Sequence, residues 1–174
     1  KIMKEIQSNI NIVGGGLIGV AAAYSLSRLG NNVVVLEQKA KFNQKKILDK
    51  RTTAISEGTK KFLEEINIWK HLEYYAEPIS KIQIIDRNHS NKIYFDNLRR
   101  KSNLGYIVKN EIILDALYRK LQTQKNVKIF NNVSIKDIFY KDNRILTKQN
   151  NFIVNTNLLL ASDGKNSSIR KIFK

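Results

Sequence analysis

The chain has 174 residues, which suits one domain, or one domain with a subdomain, and at this size about 70% of the extended-chain surface is buried without any staple. The composition, 42% hydrophobic and 26% charged, is that of an ordinary globular protein. There is no cysteine, which excludes thiolate zinc sites, iron–sulfur ligation, a cysteine nucleophile and a disulfide framework.

Thirty-one Lys and Arg against fifteen Asp and Glu leave a formal charge of +16, which invites a nucleic-acid or anionic-membrane reading. The surplus has a simpler source. There are 23 Lys, 20 Asn and 24 Ile, together 67 of 174 residues, and these are the residues of A/T-rich codons. The basic residues are scattered, with only short pairs such as Lys45-Lys46, Lys60-Lys61 and Arg99-Arg100. A nucleic-acid module would need clustered cations interleaved with aromatics, so no nucleic-acid partner is expected. No window reaches the ~18 apolar residues of a membrane span. Gln7, Ser8, Asn9 and Asn11 interrupt what would otherwise mimic an export signal.

In chain order, Ile10-Asn11-Ile12-Val13 reads as a short strand ending in a glycine cluster. Residues 17–29 carry an apolar helical stripe at Leu17, Ile18, Ala21, Ala22, Leu26 and Leu29, with Gly30 as the stop. Val33 to Leu36 is an uninterrupted apolar strand, as expected of a strand buried on both faces of a parallel sheet. Strand, helix and strand together make a βαβ unit. After the polar stretch Lys39 to Lys50, Ser56 caps a helix with Phe62, Leu63, Ile66 and Trp69 on its buried stripe. Ile82 to Arg87 and Lys92 to Asp96, separated by Asn88, Ser90 and Asn91, read as a hairpin. Asn110 begins a helix to about Thr123, with Ile113, Leu117 and Leu121 on one face. Val127 to Phe130 is a strand. Ile135 to Tyr140, Arg144 to Lys148 and Phe152 to Asn155 form an antiparallel meander. Leu158 to Ala161 is another fully apolar strand, read as buried, running into Ser162-Asp163-Gly164. The fold class expected is α/β: a Rossmann-like dinucleotide domain with a parallel sheet, an antiparallel meander and part of a further sheet.

Gly14-x-Gly16-x-x-Gly19 lies where a strand ends and a helix begins. The first glycine permits the tight turn, the second lets a pyrophosphate approach the backbone, and the third lets helix and strand pack closely. The helix N-terminus offers unpaired N–H groups to the phosphates. The whole turn, Gly14, Gly15, Gly16, Leu17, Ile18 and Gly19, is therefore the candidate cofactor loop. Glu37, 21 residues after Gly16 at the end of the second strand, is placed to accept hydrogen bonds from an adenosine ribose. Its charge repels a 2′-phosphate, which suits FAD or NAD and disfavours NADP.

Further motifs follow. Asp49-Lys50-Arg51-Thr52-Thr53-Ala54-Ile55-Ser56 fits D-x-R-x-x-A-[LI]-S, Leu104 to Asn110 fits L-G-Y-x-V-x-N, and Asp163 to Arg170 fits D-G-x-N-S-x-x-R. With the glycine fingerprint, these four ordered motifs resemble the FAD-dependent aromatic hydroxylases of ubiquinone biosynthesis. Those belong to the para-hydroxybenzoate hydroxylase-like group of flavin monooxygenases. The resemblance spans residues 10–170.

The resemblance implies cofactor roles for Arg51, Asn110, Val133, Asp163 and Gly164. Each has a plainer reading beside it. Arg51 is a planar cation suited to phosphate or ribose oxygens, or a surface partner of Asp49 or Glu57. Asn110 turns its amide to the cofactor or caps its helix. Val133 passes the adenine or is a core valine. Asp163 and Gly164 contact the FAD at the carboxyl edge of the sheet, or form a bland turn. Arg51 and Asp163 are expected to converge on one cleft. The family has G-A-D-G where this chain has Ala161-Ser162-Asp163-Gly164.

For the reaction, the resemblance implies FAD as cofactor, NAD(P)H as reductant, and dioxygen and a polyprenyl phenol as substrates, the phenol being hydroxylated on its ring. No catalytic side chain and no metal ligand is assigned, because in such enzymes the cofactor carries the hard step. His71 and His89 are read as surface or structural, and Trp69 and the Tyr74-Tyr75 pair as core or interface aromatics. A bilayer-borne substrate implies a cytoplasmic enzyme, peripheral on the inner face of the membrane, associated with other ubiquinone-biosynthesis proteins. The rival within enzymes is a FAD-linked reductase or dehydrogenase on the same nucleotide domain. The family's G-D-A-x-H-x-x-x-P segment has no counterpart before Lys174, and the chain begins without Met. It is therefore expected to be the N-terminal half of a hydroxylase, inactive alone, with 79–108 a partial substrate-domain insertion.

Overall fold

The structure is a computed structural model that describes residues 3–40, 50–86, 92–96 and 103–173. The chain divides into two compact units, residues 1–47 with 117–174, and residues 48–116.

The first unit is built on a parallel sheet. Strands β2 (Ile10–Val13), β3 (Val33–Leu36), β9 (Val127–Phe130) and β13 (Leu158–Ala161) lie in the order β13-β2-β3-β9. β2 and β3 are buried along their whole length, as the unbroken apolar run of β3 requires; β2 buries the polar Asn11 among its apolar residues. Helix α1 (Leu17–Arg28) connects them and packs on both. It stops where Gly30 takes a φ of +85°, the left-handed conformation that glycine adopts at low cost.

A second sheet has the order β1-β12-β11-β10, from β1 (Lys4–Gln7), β12 (Phe152–Thr156), β11 (Arg144–Lys148) and β10 (Asp137–Lys141). The expected meander is there. Its first turn is Asp142-Asn143, both with positive φ (51° and 58°), the two-residue geometry that matches strand twist. Ile6 and Val154 of this sheet cluster with Val34 and Leu36 of the parallel sheet, and Phe130, Val133, Ile135 and Phe152 pack around them. Asn11, buried in the middle of β2, donates from Nδ2 to Thr147 Oγ1 at 2.8 Å and so pins one sheet to the other.

The second unit contains β4 (Thr52–Ile55), α2 (Glu57–Glu65), β5 (Glu77–Ile79), β6 (Lys81–Ile85), β7 (Lys92–Asp96) and β8 (Gly105–Lys109). β4, β8 and β5 form an antiparallel sheet, and β6 pairs with β7 as a hairpin. The Ser56 hydroxyl accepts the Thr59 N–H at 3.2 Å and caps α2, as expected. The division between units falls within α3 (Asn110–Leu121), on which Ile113, Leu117 and Leu121 are buried. The span 79–108 lies inside the second unit.

Several expectations need correction. β1, β4, β5 and β8 carry no strand assignment in the sequence reading, and all four are strands. Phe62 is 40% exposed although Leu63, Ile66 and Trp69 are buried. Of that stripe only Leu63 is buried within α2; Ile66 is its C-cap, and Trp69 opens a separate 3-10 helix, Trp69–His71. β13 is apolar but lies at the edge of its sheet, with Leu158 46% exposed, so Asp163 does not follow a strand buried on both faces. Tyr74 and Tyr75 are exposed. Asp49, His89 and the hairpin turn Asn88, Ser90 and Asn91 lie outside the described residues.

Candidate functional site

The parallel sheet fixes the site by its register. Val13 pairs with both Leu36 and Ala161, and Leu36 pairs with Phe130, so all four strands end at the same level. The residues that follow emerge side by side at the carboxyl edge, where α/β sheets bind ligands. They are Gly14, Glu37, Asn131 to Val133, and Ser162 to Gly164.

Gly14 to Gly16 form the strand-to-helix turn, with Gly16 as the N-cap of α1. The Gly14 N–H still donates to Leu36 O at 2.8 Å, extending the sheet by one bond. Beyond it the backbone swings to a φ of +104°. Glu37 sits against this turn. Its Oε2 accepts the Gly15 N–H at 2.5 Å and its Oε1 accepts the Lys39 N–H at 2.8 Å. The Val133 N–H donates to the Glu37 carbonyl at 3.0 Å. Val133 thus lies beside Glu37 and packs on the core cluster, as its core-valine reading has it.

The four glycines of the turn, the three of the fingerprint and Gly15, differ in their surroundings. A Cβ on Gly14 would come within 2.4 Å of Ser162 O, and one on Gly19 within 1.8 Å of Gly14 O. On Gly15 it would meet the Tyr118 hydroxyl at 2.8 Å. On Gly16 it would meet no atom within 4 Å. No described protein atom therefore requires glycine at position 16; the space beyond its Cα is open, as a docking pyrophosphate needs. Leu17 and Ile18 open α1, with Ile18 exposed.

Asp163 does two things. Its Oδ2 accepts the Ser168 N–H at 2.7 Å, the Ser168 hydroxyl at 3.0 Å and the Ile169 N–H at 3.3 Å. This caps the short helix α4 (Ser168–Ile172). Its Oδ1 is buried and has no hydrogen-bond partner among the described residues. Burial pushes the carboxyl pKa up, but hydrogen bonds from the Ser167 hydroxyl and from Ile169 and Ser168 outweigh it and hold it below the ordinary value. The group is a carboxylate at neutral pH with one oxygen still able to accept. Gly164 follows with a φ of +83°.

Two residues that bond to the glycine turn escape a sequence reading. The Ser162 hydroxyl lies 2.9 Å from Val13 O and 3.0 Å from Gly14 O, tying the Asp163-Gly164 turn to the glycine turn. A bare departure from the family's alanine is its only sequence signal. The Tyr118 hydroxyl donates to Gly15 O at 3.0 Å. Its signal is a polar-tipped aromatic beside Leu117 and Leu121 on a buried helix face.

Arg51 and Asn110 belong to the second unit. Pairing of β4 with β8 brings them together: the Asn110 N–H donates to Arg51 O at 3.0 Å, and Asn110 Oδ1 accepts the Thr53 hydroxyl at 2.6 Å. Asn110 is the first residue of α3, and Arg51 is exposed. Among the described residues no group of three or more His, Cys, Asp or Glu is placed to hold a metal.

The FAD-binding domain family matches residues 7–174. The chain belongs to that family. It is 28% identical over 94% of its length to a ubiquinone biosynthesis monooxygenase, COQ6, of Drosophila melanogaster. It is 25% identical over 98% of its length to the 3-demethoxyubiquinol 3-hydroxylase of Escherichia coli K12. It spans 37% and 44% of the length of those two relatives. Among solved structures, p-nitrophenol 4-monooxygenase PnpA of Pseudomonas putida DLL-E4 superposes with a TM-score of 0.80 at 19% identity, over 98% of this chain and 44% of that one. That likeness is one of fold, and it agrees with a parallel dinucleotide sheet joined to antiparallel sheets. Both relatives are named as a monooxygenase or a hydroxylase, and the likeness to them runs over nearly the whole of this chain.

Proposed function

We propose that the Gly14 to Gly19 turn, Glu37, Val133, Asp163 and Gly164 hold FAD, and, from the motifs they belong to, that Arg51 and Asn110 are cofactor contacts as well. The observation that carries this is the contrast at the turn: Gly14, Gly15 and Gly19 are hemmed in by protein while Gly16 faces open space. The Glu37 carboxylate lies against the same peptide. The residues fit the cofactor. The open N–H groups at the start of α1 suit phosphate, Glu37 suits a ribose diol, and Asp163 Oδ1 is a buried acceptor awaiting a donor. The guanidinium of Arg51 supplies a fixed cation for phosphate or ribose oxygens.

Bound FAD supplies the redox and oxygen chemistry. The chain's own residues bind it, orient it and keep a negative charge beside the ribose. Following the names of the relatives, we assign the reaction as ring hydroxylation of a polyprenyl phenol with NAD(P)H as reductant and dioxygen as co-substrate. The span 79–108 is assigned to the substrate side. The +16 charge would favour contact with anionic lipid at the cytoplasmic face of a membrane, where such a substrate and other proteins of the same biosynthesis are found. Among the described residues no helix is long and apolar enough to cross a membrane.

The test has two arms. FAD fluorescence titration should give saturable binding to the chain. NAD(P)H oxidation in the presence of FAD, dioxygen and a prenylated phenol should give a product 16 mass units heavier in a flavin monooxygenase containing this chain. NAD(P)H oxidation with an unchanged phenol would instead favour a reductase, and absence of FAD binding would overturn both.

A further inference from the structure

The polar groups of the glycine turn are engaged unevenly. The Gly14 carbonyl lies 3.0 Å from Ser162 Oγ and the Gly15 N–H donates to Glu37 Oε2. The peptide joining Gly14 to Gly15 is thus gripped at both ends. The next peptide is gripped at one end only. Its carbonyl, Gly15 O, accepts the Tyr118 hydroxyl at 3.0 Å, while its N–H, that of Gly16, has no acceptor among the described residues. In a trans peptide the C=O and N–H point in opposite directions. Whatever holds the Gly15 carbonyl therefore sets the direction in which the Gly16 N–H is presented.

We propose that Tyr118 is a positioning residue of the cofactor site: its hydroxyl holds the Gly15 carbonyl so that the Gly16 N–H is aimed at a nucleotide's pyrophosphate. This rests on the FAD reading above. Tyr118 is well placed for the task. It is buried on α3, 103 positions from Gly15 in sequence, and Leu117 and Leu121 beside it are buried too, so the ring is held by the core. Burial, and then the Glu37 charge, push its pKa up to about 12, which keeps the hydroxyl a donor at neutral pH. Packing alone does not explain the hydroxyl, since a phenylalanine would fill the same space and leave the Gly15 carbonyl unpaired.

The experiment compares wild type with Tyr118→Phe, which removes one oxygen. Dissociation constants for ADP and for adenosine are measured by ligand-observed NMR, with a thermal melt of each protein. Loss of an aimed donor should weaken ADP by roughly tenfold and leave adenosine, which has no phosphate, within about twofold. An equal loss for both ligands would mean a merely structural role and would overturn the proposal. Unchanged ADP affinity in a folded variant would overturn it also. A wild type that binds neither ADP nor FAD would bring down the cofactor reading and this assignment with it. Tyr140→Phe, which removes the hydroxyl of an exposed tyrosine on β10, provides the control. Its ADP-to-adenosine ratio should stay near that of wild type, and a tenfold fall there would contradict the assignment to Tyr118.

Discussion

A methyl group on Gly19 would sit 1.8 Å from Gly14 O and 2.6 Å from Ser162 Oγ, and neither can retreat. The first is backbone at the end of a buried strand, and the second is tied to Val13 O and Gly14 O. Gly19→Ala is therefore expected to cost more than about 3 kcal/mol, the upper range for overpacking a tight contact. A urea melt would measure it, and a loss below about 1 kcal/mol would contradict the packing described. At this scale the sequence is legible where chemistry is tied to a spacing. Gly14, Gly16, Gly19 and Glu37 stand where the fingerprint predicts because each role needs a particular residue type at a particular offset. Tyr118 and Ser162 are not legible in that way. They reach the turn through tertiary contact across 103 and 148 positions, and no local pattern encodes such a reach.

Among the elements, the short helix α4 is capped by two side chains, Ser167, whose hydroxyl accepts the Arg170 N–H at 3.0 Å, and Asp163. Asp163 Oδ2 satisfies the Ser168 and Ile169 N–H groups that the helix start leaves open. Its folded pKa lies below the ordinary value. The stabilisation is thus fully present above the unfolded pKa, near 3.8, and is lost as pH falls through the lower folded value. Asp163→Ala should lower the hydrogen-exchange protection of the Ser168 and Ile169 amides by about tenfold at neutral pH, within the usual range for loss of a cap. In wild type the protection should decline below about pH 4, and in the variant it should be nearly flat there. Equal pH profiles would remove Asp163 from the cap. The sequence reveals the existence of α1, α2 and α3, but α1 buries Val20, Ala23, Tyr24 and Ser27 and not the stripe of Leu17, Ile18, Ala21, Ala22, Leu26 and Leu29, of which Ile18 and Leu29 are exposed. The sequence reveals β3 because its apolar run is unbroken, and β2 because the glycine cluster follows it. The strand β1, Lys4-Glu5-Ile6-Gln7, escapes because only Ile6 is buried; its place comes from parallel pairing with β12 and from Arg144, which donates to Gln7 Oε1 at 2.9 Å and Ser8 O at 3.3 Å. β4 and β5 are short and mostly exposed, and β5 contains Pro78, so local propensity argues against them. Only pairing with β8 makes them strands.

For the whole molecule, the central claim is that the Gly14 to Gly19 turn is shaped for a pyrophosphate as well as for packing. Position 16 separates the two purposes. Gly16 has a φ of −76° and a ψ of −174°, which alanine adopts freely, and a Cβ there meets nothing within 4 Å. The measurement is therefore FAD affinity and thermal midpoint, on wild type and Gly16→Ala side by side. The account predicts a midpoint lowered by no more than about 4 °C, the cost of a slightly poorer N-cap in a chain of this length. It predicts an FAD dissociation constant raised at least about tenfold, because the methyl occupies the space a phosphate must enter. A Gly16→Ala protein that binds FAD as tightly as wild type would contradict it.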